Sequence, residues 1–231
     1  MKGDLIMQDE NAKKIKMIKI KKTAEALEKN NMQTFIAEKK EDIVPIVKKL
    51  LNDGDTIAMG GCMSANESGV TELVKNGSYK FLDRSAPGLT PEDITDIYRA
   101  AFTSDVYIAS ANAVTENGEL YNVDGNSNRV AAILYGPKSV ILIVGYNKIV
   151  GNIEEAITRV KNVAAPINCV RLGIDNYCAK TGSCVSLAEK GSYMCDGCGS
   201  EGRICRNYVI MASQRIKNRI KVILTSEDLG Y

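Results

Sequence analysis

Histidine is absent from this 231-residue chain. That absence removes Ser-His-Asp and Cys-His nucleophile systems and every histidine-ligated metal site from consideration. Charge imbalance is also lacking: 30 Lys and Arg against 28 Asp and Glu leave a net charge of +2. So small a surplus gives no global bias toward nucleic acid or an anionic membrane surface. No apolar run approaches the roughly 18 residues that a membrane-spanning helix needs. The opening MKGDLIMQDENAKK has no apolar core of a secretory signal, which makes the cytoplasm the expected compartment. The apolar share of 45% and charged share of 25% are those of an ordinary globular chain, with length for one sizeable α/β core. The chain is read as one domain over residues 1–231, with a Cys-rich excursion at 169–205.

Cysteine, by contrast, is plentiful and clustered. Six of seven cysteines fall between Cys169 and Cys205. Without an export signal, such a cluster points to a metal rather than to a disulfide framework. The spacings are Cys178-x5-Cys184, Cys195-x2-Cys198 and then x6 to Cys205. The expected ligands are Cys178, Cys184, Cys198 and Cys205, with Cys195 as substitute and Cys169 packed in a strand. Thiolate-only ligation suits zinc or an iron–sulfur cluster, and spacing does not separate them. A metal-free loop with reduced thiols, or one held by disulfides, is the plain alternative.

Upstream, strand and helix alternate. A lysine-rich helix is expected over 9–30, with Ile15, Ile18, Ala24 and Leu27 inward and Lys13, Lys14, Lys16, Lys19, Lys21 and Lys22 forming a solvated face. Strands follow at Met32–Ala37 and Asp55–Met59. The second runs into Gly60-Gly61-Cys62-Met63-Ser64, where Ser64 and Glu67 fit a capping box. A Gly-rich turn between strand and helix can present backbone N–H groups to an anion, or it can be no more than a tight turn. It matches neither the dinucleotide fingerprint nor a Walker A loop, so no nucleotide cofactor is expected. The polar loop 83–88 is a candidate rim. Thr90-Pro91-Glu92-Asp93 opens the next helix.

Residues 105–145 form the central stretch. Val106–Ala111 reads as a buried strand. Asn117-Gly118 signals a hairpin, with 119–123 as its returning arm. The polar loop 124–128 leads into Arg129 and a short helix that Gly136-Pro137 stops. Lys138–Val144 is another buried strand. A helix capped by Asn152 is expected to end at Ala165-Pro166, and two later runs, 207–212 and 220–225, are expected to pair at the edge of the main sheet. This rhythm predicts an α/β fold with a mainly parallel sheet flanked by helices. Asn126, Asn128 and Arg129 could grip a carboxylate or phosphate, with Gly60, Gly61, Ser64 and Glu67 completing an anion cleft. Alternatively, Arg129 ties its own loop to Asp124 or Glu119.

The run TENGELYNVDGNSNRVAAILYGPKSVILIVGYNKIV resembles the signature of the LUD-domain family of lactate-utilisation proteins. The Gly loop before it and the cysteines after it fall in that family's order. This resemblance implies a fold like that of ribose-5-phosphate isomerases, glucosamine-phosphate deaminases and CoA transferases. It also implies an accessory or subunit in oxidation of lactate or a related organic acid, beside iron–sulfur and flavin partners; a homo-oligomer is compatible with it. Thr115-Glu116-Asn117-Gly118 is similar to the turn in which CoA transferases place a nucleophilic glutamate, so Glu116 is the candidate catalytic carboxylate of an alternative, enzymatic reading. A non-catalytic, metal-stabilised binding module is the third.

Overall fold

The computed structural model describes residues 9–188 and 193–231. Among the described residues, ten strands form two sheets. The main sheet contains β1 (Gln33–Ala37), β2 (Thr56–Met59), β3 (Lys80–Leu82), β4 (Val106–Ala109), β7 (Ser139–Gly145) and β10 (Ile220–Thr225). Its order is β1-β10-β7-β4-β2-β3, and every pairing is parallel. Parallel sheets are covered on both faces, so their strands read as unbroken apolar runs. In β7, Val140, Leu142 and Val144 join one core cluster while Ile141 and Ile143 join the other. Helix α1 (Glu10–Lys29) buries Ile20, Ala24 and Leu27 in the first cluster; α2 (Ile43–Leu50) buries Ile43 and Val47 in the second.

The second sheet, of order β8-β5-β6-β9, holds β5 (Ala113–Thr115), β6 (Leu120–Asp124), β8 (Ile149–Val150) and β9 (Asn207–Met211). The expected hairpin is therefore β5–β6, and its first arm is not the strand at 106–109, which stays in the main sheet. Glu116, Asn117 and Gly118 make the loop, with Gly118 alone in the left-handed region at φ +82°.

Four further expectations are corrected. Of the two runs expected at the edge of the main sheet, the first is β9 of the second sheet, while β10 lies inside the main sheet, between β1 and β7, because apart from Lys221 it can bury both faces. Lys221 turns its Nζ to Ser139 Oγ and the Asn218 carbonyl. The helix opened by Asn152, α7 (Ile153–Arg159), does not end at Pro166. It widens into a π-turn over Val160–Ala164, where the Ala165 N–H reaches Val160 O, and continues as α8 (Ala165–Arg171). The wider turn accommodates a proline whose ring would clash with a regular helix and whose nitrogen donates nothing. Cys169 consequently sits in α8, not in a strand. On α1, Ile15 and Ile18 are exposed, because the buried stripe runs through Ile20, Thr23, Ala24 and Leu27.

Helices α3 (Met63–Glu67), α4 (Val70–Asn76), α5 (Pro91–Ala100), α6 (Asn128–Leu134) and α9 (Tyr177–Thr181) complete the set. α5 opens on Thr90 as expected, and Thr90 and Asp93 bond reciprocally in a capping box that was not expected. The carbonyl end of α6 is closed from afar by Arg219, which donates to Ala132, Ile133, Leu134 and Pro137 carbonyls. A cation at a helix C-terminus satisfies the orphan carbonyls and the dipole together.

Candidate functional site

β2, β4 and β7 end on the same side of the main sheet, and the segments that follow them border one cleft of about 640 Å³. Gly60, Gly61 and Cys62 come from the end of β2, Ser110–Asn112 from β4, and Lys148 from β7. The carboxyl ends of parallel strands are where open α/β sheets hold ligands. The same cleft is bordered by Asn126, Asn128 and Arg129, Arg84 and Tyr98, Asn168 and Arg171 of α8, and residues 201–206.

The Gly loop supplies space rather than a helix end. Helix α3 is five residues long, and its N-cap is Cys62, whose Sγ accepts the Ala65 N–H at 3.4 Å. The capping box expected of Ser64 and Glu67 is absent. Ser64 is buried and donates to Leu229 O, while Glu67 accepts the Gly230 N–H at 2.7 Å. Neither lines the cleft. A Cβ on Gly61 would lie 2.6 Å from Arg84 Nη2 and 3.8 Å from Arg171 Nη2, so both guanidiniums close over this glycine. Arg84 donates to the Tyr98 hydroxyl at 2.8 Å and Arg171 to Asn168 Oδ1 at 2.9 Å. Neither has a carboxylate partner among the described residues.

Arg129 is placed at the cleft, but its donors are spent. Nε donates to Asp124 Oδ1, Nη1 to Ser110 O and Asn122 Oδ1, and Nη2 to Asn112 Oδ1 and Val123 O. Those contacts use all five N–H groups of a guanidinium. Asp124 Oδ2 meanwhile accepts the Arg129 and Val130 N–H groups, capping α6 in place of Ser127, which makes no side-chain cap. The pair is thus a brace, whereas Arg84 and Arg171 keep donors to spare.

Lys148 has the least ordinary surroundings. It is 2% exposed and pairs with no carboxylate among the described residues. Its Nζ lies 2.9 Å from both Ser64 Oγ and Ser110 Oγ. Burial, reinforced by Arg159 and Arg129, lowers its pKa from 10.5 to about 8. The Cys62 thiol is pushed up by burial and stays protonated, so it is a small apolar side chain and not a reactive thiolate. Sequence reading passed over Lys148; its position at the end of a central strand is the signal that could have found it.

Glu116 does not line the cleft. It caps the β5–β6 loop in ion pairs with Lys22 at 3.2 Å and Lys19 at 3.6 Å on α1. The cysteines do converge: Cys169, Cys178, Cys184, Cys198 and Cys205 border a separate cavity of about 30 Å³, and Cys178 Sγ is 3.7 Å from Cys169 Sγ. Cys195 is exposed. Among the described residues no three Cys, Asp or Glu side chains are arranged to hold a metal ion.

A helix-flanked, mainly parallel sheet with a polar cleft at its strand ends defines an α/β protein. The chain belongs to the LUD domain family, which it matches over residues 20–225, and is in that general sense a protein of the lactate-utilisation type. Among solved structures, the chain is similar to a DUF162 family protein from Deinococcus radiodurans, at 13% identity and a TM-score of 0.50. That alignment covers 91% of this chain and 98% of the other, and it shows a shared fold. eIF2B beta from Chaetomium thermophilum aligns with 49% of the chain and 43% of its own length, at 17% identity and a TM-score of 0.34, too low to carry an argument. No curated protein matches the sequence. Among the described residues no helix is long and apolar enough to cross a membrane.

Proposed function

We propose that this chain serves the oxidation of lactate or a related organic acid as an accessory or subunit beside iron–sulfur and flavin proteins, and that its cleft holds a small carboxylate or phosphate. The observation that carries the cleft is the pair of guanidiniums, Arg84 and Arg171, closing over Gly61 without carboxylate partners among the described residues. Guanidiniums match carboxylate and phosphate oxygens in pairs, and partial exclusion of water strengthens the contact. Gly60, Asn126 and Asn128 line the same space and would complete the polar wall. Arg129 would hold the wall in shape.

The competing enzymatic reading, a CoA transferase or sugar-phosphate isomerase working through Glu116, is the weaker one. Its carboxylate is turned to two lysines of α1 and away from the cleft lining. The role itself is tested by reconstitution. Lactate-dependent dye reduction by the flavin and iron–sulfur partners should fall when this chain is left out and return when it is added. Equal rates with and without it would sink the accessory role.

A second proposal concerns the thiols. Five cysteines border one cavity, and so does Tyr121, whose buried hydroxyl has no hydrogen-bond partner among the described residues. Such a donor set suits zinc or an iron–sulfur cluster, which would clip a loop too polar to order itself. No metal-ready set of three stands in the described geometry, so binding would draw the thiols together. Metal analysis with an absorption spectrum on anaerobically purified protein decides it. Stoichiometric zinc, or iron with acid-labile sulfide, supports the proposal; neither would end it.

A further inference from the structure

Lys148 is the group in the cleft that anion binding leaves unused. Ammonium groups are rarely buried without an acid, since desolvation of the charge costs more than hydroxyls return. Here two serine hydroxyls take the place of the acid. Ser64 gives its own proton to Leu229 O at 3.1 Å and Ser110 gives its proton to Ala111 O at 3.2 Å, so both oxygens accept from Nζ. A neutral amine has two N–H bonds and one lone pair. With both N–H bonds directed at Ser64 and Ser110, the lone pair is what remains, and Lys148 borders the cleft. This cradle therefore fits the neutral amine, the nucleophilic form.

The charges around it agree. Arg129 and Arg159 disfavour the ammonium, while Glu67 favours it; burial is the largest influence and brings the pKa to about 8. Desolvation beside other cations is how a lysine amine is activated toward carbonyl carbon. In the same cleft, Arg84 and Arg171 suit a carboxylate. An amine and a carboxylate site sharing one cleft match a compound bearing both a carbonyl and a carboxylate.

We infer that Lys148 is a nucleophilic amine that forms an imine with the carbonyl carbon of a small 2-oxo acid whose carboxylate is held by Arg84 and Arg171. This rests on the reading of the cleft as an anion site. In the first step the Nζ lone pair forms the N–C bond, the carbonyl π pair moves to oxygen, and a proton passes from nitrogen to that oxygen. In the second, the C–O bond breaks, the hydroxyl leaves with the second nitrogen proton as water, and the N=C bond forms. No oxidant or reductant takes part. Lys148 touches the reacting carbon and is in that sense catalytic; Ser64 and Ser110 are positioning residues.

The test is borohydride trapping. The full chain is incubated with pyruvate and sodium borohydride, digested, and mapped by mass spectrometry. The expected result is one reduced pyruvyl adduct on the peptide carrying Lys148, lost in Lys148→Arg and Lys148→Met. Because the map is made on the unsubstituted protein, a variant that fails to fold does not decide the matter. Pyruvate binding is measured beside it by calorimetry. Binding that depends on Arg84 without any adduct at Lys148 would overturn the imine and leave the anion cleft standing. Adducts confined to the exposed lysines of α1 would overturn it too. Neither binding nor adduct would remove both readings.

Discussion

Arg129 and Asp124 form a closed pair: Nε to Oδ1 is 3.0 Å, and the second carboxylate oxygen caps α6 through the Arg129 and Val130 N–H groups. The side chain that looked most like an anion hook is thereby part of the frame. Arg129→Ala should lower stability by about 3–5 kcal/mol, because it leaves Asp124 uncompensated in a half-buried place. Urea unfolding reads this directly. Arg129→Lys should recover little, since one ammonium cannot reach five acceptors. An unchanged urea midpoint in Arg129→Ala would contradict the brace.

Gly61→Ala addresses the cleft with the smallest change. The new methyl would stand 2.6 Å from Arg84 Nη2, so the guanidinium must move. Small-anion affinity should fall roughly tenfold, about 1.4 kcal/mol, as one charge-assisted contact is misplaced. The unfolding midpoint should stay close to that of the parent, because the displaced group is the far end of a flexible side chain. Unaltered affinity would place the anion elsewhere.

Lys148 gives a pH signature with a defined sign. Its pKa is about 8 in the folded chain and near 10.5 otherwise. Below about 8 the folded state carries the ammonium at a cost of about 3 kcal/mol. Between those values the unfolded chain binds more protons than the native one, so stability from this residue rises with pH and the cost is gone above 10.5. The stability of Lys148→Met relative to the parent should therefore be greater at neutral pH than near pH ~10. A pH-independent difference would mean that the amine is solvated.

Gly118 tests how the second sheet is tied to α1. It sits at φ +82°, and a Cβ there would lie 2.6 Å from the Ala26 carbonyl carbon and 2.7 Å from Leu27 N. Gly118→Ala should cost more than about 1 kcal/mol, since strain and backbone contact add. Asn30 Nδ2 donates to the Asn117 and Gly118 carbonyls at 3.1 Å, so the helix must give as well. Thermal unfolding checks it; an unchanged Tm would show that the loop can shift freely.

The parallel sheet was legible because strands buried on both faces write themselves as unbroken apolar runs, as Val140–Val144 do. Caps with side-chain chemistry, Thr90 with Asp93 and Asn152 with Glu155, were legible too. What failed depended on partners far along the chain. β10 reads like an edge strand until Lys221 finds Ser139, and Pro166 reads like a stop until the π-turn widens around it. The site divides in the same way. Gly60, Gly61, Asn126 and Asn128 were named from local turn chemistry, and all four border one cleft. Arg84, Arg171 and Lys148 come from three separate segments, and nothing local to each announces the other two. Glu116 shows the converse: a suggestive four-residue turn whose carboxylate is taken by α1.

The central claim is that Arg84 and Arg171 make the cleft an anion site. Calorimetric titration of lactate, pyruvate and inorganic phosphate into the parent chain and into Arg84→Ala/Arg171→Ala tests it most directly. Saturable binding of at least one of these anions to the parent, weakened about a hundredfold or more in the double variant while the fold holds, is the predicted result. Equal affinity in both proteins, or no binding to the parent at all, would contradict the account.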